Sequence, residues 1–128
     1  MHSELALRKA GPPGTRTVDF SGSWRNQLGS QMDLTVSGNS ISGQYQSAVS
    51  GESGPITGDL VGFINGDLIS FVVNWPSAAI TAWVGQMIND NGYDVIITLW
   101  QMTMNVSETD EPTGMWQSIL AGTDRFHR

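Results

Sequence analysis

Period-two alternation dominates the chain after residue 19. In 68–75, Phe71, Val73 and Trp75 fall on one side, and in 79–88, Thr81, Trp83 and Gly85 do the same. In 93–104 the shared side carries Thr98, Trp100 and Met102, and in 40–47 it carries Tyr45 and Ser47. Successive side chains of a strand point to opposite faces, so each set lies on one face of a half-buried strand. Strands are predicted over 20–27, 30–37, 40–47, 56–63, 68–75, 79–88, 93–104 and 115–124. No long helical period interrupts them. Turn signals separate the runs: SGNS at 37–40, NGD at 65–67 and NDNG at 89–92. The Asn-Gly pairs at 65–66 and 91–92 favour hairpins of type I′, whose central residues both need positive φ. Two connections are longer, AVSGESGP at 48–55 and NVSETDEPTG at 105–114. Eight strands joined in sequence predict an all-β fold, an eight-stranded antiparallel up-and-down β-barrel, which leaves no sheet edge unpaired. A β-sandwich would usually need Greek-key crossovers.

The first eighteen residues end near a GPPGT breaker at 11–15 and read as a flexible tail. Residues 19–128 then form a single domain, a size that supports one core. Net charge is −6 with no basic cluster able to track a phosphate backbone, which argues against nucleic acid as a partner. No apolar run approaches the length of a membrane span. The N-terminus lacks the apolar stretch and cleavage site of a secretory signal. Without cysteine there are no disulfides, CxxC metal sites or thiol nucleophiles. The two histidines, His2 and His127, stand near the chain ends, and no G-x-S-x-G elbow or metal-ligand spacing occurs. Neither catalysis nor a cofactor or metal is expected.

The stretch GSWRNQLGS at 22–30 is less ordinary. As a strand it would place Trp24, Asn26, Leu28 and Ser30 on one face, too polar for a core stripe and too aromatic for a solvated one. Combined with the inward faces above, one barrel end would hold Trp75, Trp83 and Trp100 beside Asn26, Ser30, Tyr45, Ser47 and Thr81. Aromatic walls with a few placed polar groups suit a small-molecule pocket, and a barrel of eight strands can hold one small ligand. Taken singly, each Trp reads as core, Asn26 and Ser30 as strand-end residues, and Asp124 as a solvated turn. Their joint order overturns those single readings. The acidic SETDE at 107–111 reads as a surface loop, and NVS at 105–107 as a weak glycosylation match.

GSWRNQLGS, SGQYQSAV (42–49), VNWPSAAITAWVGQ (73–86), TLWQMT (98–103) and WQSILAGTDRF (116–126) occur in that order. Together they resemble the avidin–streptavidin family of biotin-binding proteins, in a bacterial-type form, from about Phe20 to Phe126. The resemblance implies an avidin-like barrel that binds biotin tightly without catalysis. It implies that Asn26, Ser30 and Tyr45 donate to the ureido oxygen of biotin, while Asp124 and Ser47 accept from its N–H groups. Converging donors of this kind polarise a carbonyl toward an oxyanion. Thr81 would meet the thioether sulfur, and Trp75, Trp83 and Trp100 would enclose the ring and valeryl chain. Val49, Ser50 and Gly51, from a loop after the third strand, and Ser77 would serve the carboxylate end, with Leu28 on the site's polar face. Ala79 stands where the family often has a second Ser, and Met102 where Leu is more usual. Trp116 would cap a neighbouring subunit's pocket, implying a homo-oligomer of tetramer type, and the family implies secretion. Two other readings of the barrel remain: a lipocalin-like carrier of apolar ligands, with a greasy interior lacking the Asn–Ser–Tyr–Asp cluster, and a protease inhibitor that inserts its N-terminal tail.

Overall fold

Eight antiparallel strands, each paired with its neighbour in sequence, close into a barrel in the order β1 to β8. The computed structural model describes residues 3–11, 18–51, 54–105 and 119–128. The strands are β1 (Gly22–Arg25), β2 (Gln31–Ser37), β3 (Ser40–Gly51), β4 (Gly54–Asn65), β5 (Leu68–Asn74), β6 (Ala79–Asp90), β7 (Tyr93–Met104) and β8 (Ile119–His127). Ahead of them, Ser3–Ala6 forms one short helix, α1, and Leu7–Lys9 a 3-10 turn, neither with a buried residue.

The expected turns fall where the sequence puts them, with one change of register. Asn91 (φ 52°) and Gly92 (φ 90°) both take positive φ, as a type I′ hairpin requires. The β4–β5 hairpin differs: Asn65 pairs with Leu68, so its two central residues are Gly66 and Asp67. Gly66, at φ 61°, supplies the positive φ at the first central position, the hallmark of type II′ rather than I′. Gly38, also at φ 61°, does the same between Ser37 and Ser40.

Strand ends depart further. The connection expected at 48–55 is largely strand, because β3 runs to Gly51 and β4 starts at Gly54. Backbone pairing, which ignores side-chain type, carries the ladder outward past a register shift between Ser47 and Gly51. At the other end of the chain, β8 continues to His127 rather than stopping at 124. Its Gly-Thr-Asp run lies opposite Thr98–Trp100 of β7. The predicted start of that strand, 115–118, lies outside the described residues. In the first strand, regular pairing ends at Arg25, and residues 26–30 turn back instead of continuing to 27.

Alternation puts Ile69, Phe71 and Val73 of β5 inside the barrel and their neighbours outside. Trp24, Phe20, Phe126 and Met32 are fully buried beside them. The end of the barrel at β1 is plugged. Trp24 donates its indole N–H to the Phe20 carbonyl (2.9 Å), and the Arg128 guanidinium lies 4.1 Å from the centre of its ring. Arg128 also donates to the carbonyls of Ser21 and Asp19, tying β8 to the segment entering β1. The β1–β8 seam itself has a single backbone pairing, Arg25 with His127.

Candidate ligand site

At the barrel end opposite that plug, a cavity of about 630 Å³ opens between the strands, within the ~300–1,000 Å³ usual for small-molecule sites. Asn26, Ser30, Tyr45 and Asp124 lie at its depth, all buried. They arrive by different routes, and the first is a turn rather than a strand.

Residues 26–30 close on themselves. The Asn26 N–H donates to Ser30 O and the Gly29 N–H to Asn26 O, both at 3.0 Å. Gly29 sits at φ 84°, a conformation that costs glycine little. The Asn26 side chain caps its own turn: Oδ1 accepts from the N–H of Leu28 (3.0 Å) and of Ser30 (2.9 Å). This corrects the strand reading of the stretch. Asn26 and Ser30 share a side because the turn folds them together, and Leu28, at the tip, reaches the cavity rim while 61% exposed.

The turn also fixes which way the amide faces. With Oδ1 occupied by two backbone donors, Nδ2 must point toward the cavity. There it lies 3.2 Å from the Tyr45 hydroxyl and 3.5 Å from Asp124 Oδ1. Ser30 Oγ accepts from the Ala48 N–H (3.0 Å), and its hydroxyl also hydrogen-bonds Tyr45. The Tyr45 oxygen accepts from Asn26. Burial, then the Asp124 charge, push the Tyr45 phenol well above its ordinary range, against the opposing pull of a Ser30 hydrogen bond. Tyr45 therefore keeps its proton at every ordinary pH. Three groups able to donate, from residues 26, 30 and 45, converge on one region.

Beside them stands the Asp124 carboxylate. Oδ2 accepts from the Trp83 indole N–H (2.8 Å), and Oδ1 from Gln27 Nε2 (2.8 Å). Gln27 in turn accepts from the Arg125 N–H (3.0 Å), and the Asp124 carbonyl accepts from the Thr98 hydroxyl (3.0 Å). The carboxylate is thus held from β6 and from the 26–30 turn.

Aromatic rings wall the space. Tyr45 and Phe71 each stack on Trp83 with centroids 4.9 Å apart. Trp75 meets Tyr45 edge-on at 5.7 Å and donates its indole N–H to the Thr81 hydroxyl (2.9 Å). Trp75 lies just past β5, in a tight loop where its N–H reaches the Ala79 carbonyl and the Ala79 N–H reaches that of Ser77. Ser47, Ser77, Ala79, Trp100 and Met102 complete the predicted lining that is seen. Val49, Ser50 and Gly51 lie in β3, but their surroundings fall outside the described structure, and Trp116 lies outside the described residues.

Sequence reasoning missed Ile56, Ala78, Met104 and Asn105, all on the cavity wall. Met104 was legible, since it continues the alternation of Trp100 and Met102. Ile56 pairs with Ser47 across β3 and β4, which needs the register to be known. The Asn105 N–H bonds the Ala78 carbonyl (2.9 Å), a contact between two strand ends that no local pattern announces.

Comparison with known proteins agrees with this geometry. Avidin from Gallus gallus is 27% identical over 124 residues, spanning 88% of this chain and 80% of that protein. The crystal structure of Xenavidin superposes with a TM-score of 0.76 at 26% identity, covering 88% of this chain and 99% of that one. A biotin binding protein from chicken gives a TM-score of 0.74 at 28% identity, covering 89% and 98%. The sequence profile of the Avidin family matches residues 14–128, nearly the whole chain. By sequence over nearly its whole length, and with an overall fold in accord, the chain belongs to the avidin family.

Proposed function

We propose that this chain captures biotin non-covalently in the cavity, with no chemical step. The observation that carries the reading is the buried cluster of Asn26, Ser30, Tyr45 and the Asp124 carboxylate on one cavity wall. A cyclic urea has one carbonyl oxygen and two N–H groups. Donors on the oxygen and an acceptor on the nitrogens both favour the resonance form that places negative charge on the oxygen, so each strengthens the other. Ser47 offers a second acceptor for the ureido N–H groups, Thr81 faces the thioether, and Trp75, Trp83 and Trp100 enclose the apolar body. At the mouth, Ser77 and Asn105 are the polar groups beside Ala78, Ala79, Met102 and Met104. A carrier of purely apolar ligands would have no use for the buried cluster at the bottom.

Titrating the protein with biotin while following tryptophan emission tests the reading. The expected result is saturation at one biotin per chain. In Ser30→Ala the affinity should fall about tenfold or more, because a donor to a polarised oxygen exceeds the ~0.5–1.5 kcal/mol of a neutral hydrogen bond. No spectral change at micromolar biotin refutes it.

Self-association belongs to the same proposal. On the barrel exterior, Phe63, Ser70, Val84 and Leu99 form one cross-strand row over β4–β7. Phe63 (71%), Val84 (63%) and Leu99 (68%) are largely exposed, and Val61 (61%) lies one row away. So much contiguous apolar surface marks an interaction site, and the family makes a second copy of the chain its occupant. In sedimentation the parent should run as an oligomer and Val84→Asp as a smaller species. A monomeric parent at micromolar concentration would remove the proposal.

A further inference from the structure

Trp83, Trp100 and Gly122 stand side by side in one row across β6, β7 and β8. The Trp100 indole lies over Gly122. A β-carbon built at position 122 would fall 2.6 Å from Cζ2, 2.8 Å from Cε2 and 3.0 Å from Nε1 of that ring. Carbon atoms in contact need about 3.5–4.0 Å, so any side chain there must displace the indole. The backbone gives no other reason for glycine. Gly122 is absent from the described glycines with positive φ, and its neighbours on the ladder pair regularly. Glycine inside a strand forgoes packing and raises the entropy of the unfolded chain, and it often marks a close approach. Here the approaching group is one wall of the ligand cavity.

We infer that Gly122 is a positioning residue for the ligand site: its missing side chain lets Trp100 lie back against β8, which sets the width of the cavity across the ligand's ring. The inference deepens the biotin reading and rests on it for its affinity arm. Gly122 itself contributes no bond to the ligand. Two positions farther along β8, Asp124 supplies the acceptor, so one strand places both the polar contact and the seat of the aromatic wall.

The test is a double-mutant cycle between Gly122→Ala and Trp100→Val, the latter too short to reach position 122 and suited to a strand. In the parent background Gly122→Ala should weaken biotin about tenfold, inside the ~2- to 150-fold range of couplings between contacting residues. In the Trp100→Val background the same change should cost less than about threefold, since the displaced ring is gone. Near-ultraviolet circular dichroism gives a second readout without ligand. Gly122→Ala should alter the tryptophan bands of the parent and leave those of Trp100→Val unaltered. Equal affinity losses in both backgrounds, or unaltered bands in the parent, would overturn the inference. A parent that ignores biotin would sink the function reading, and the dichroism would then decide the placement of Trp100 alone.

Discussion

Asp124→Ala will weaken biotin capture by about 10- to 150-fold, the loss of one hydrogen bond to a charged group at about 1.5–3 kcal/mol. It will also loosen the empty barrel. The carboxylate takes the Trp83 indole N–H and the Gln27 amide, both at 2.8 Å, and Asp124 is buried. Removing it strands the Trp83 donor in an enclosed site, at a cost of about 1–3 kcal/mol. Asp124→Asn separates the two effects. The amide keeps the volume but can turn only one oxygen toward two donors, so its –NH₂ must face either Trp83 or Gln27. Biotin titration and thermal unfolding of both variants are the checks. An Ala variant that binds within about threefold of the parent would show that Asp124 braces Trp83 and Gln27 and makes no bond to the ligand.

Trp24→Ala should be the costliest single change to stability, with little direct effect on the cavity. The side chain is fully buried at the plugged end, bonded to the Phe20 carbonyl and covered by Arg128. Truncating a buried Trp costs about 3–5 kcal/mol, against total stabilities of about 5–15 kcal/mol for a domain. A fall in Tm of about 10–20 °C follows. Biotin should still bind the folded fraction with near-parental affinity, because Trp24 does not line the cavity. Calorimetry with and without biotin reads both quantities. A Tm within two or three degrees of the parent would mean that the plug is held by other groups.

The sequence carried the barrel and most of the residues that line its cavity, because both rest on local signals. Alternation fixed the inward faces of β5, β6 and β7, and the Gly and Asn turns fixed three hairpins. What it hid was set by partners distant in the chain. The Gly-Ser-rich stretch after Ser47 looks like a loop, yet β3 and β4 continue there because their backbones find each other. The last strand, expected to stop at Asp124, runs on to His127 because β7 lies beside it. The convergence of Asn26 and Ser30 was foreseen but its cause was not. Alternation is blind to an amide that caps its own backbone turn.

The short seam between β1 and β8 bears on how the protein acquires and keeps its shape. Seven of the eight strand pairings join neighbours in sequence and can zip locally. The eighth must bring residue 25 to residue 127, a closure that comes at a large entropic cost. The ligand cluster straddles that closure. Asn26 and Gln27 reach Asp124 across separations of 98 and 97 residues. A sheet that has not closed has no complete site. A ligand spanning residues 26, 30, 45 and 124 therefore binds only the closed form and favours it by mass action. Such a guest is the clasp of the ring that surrounds it.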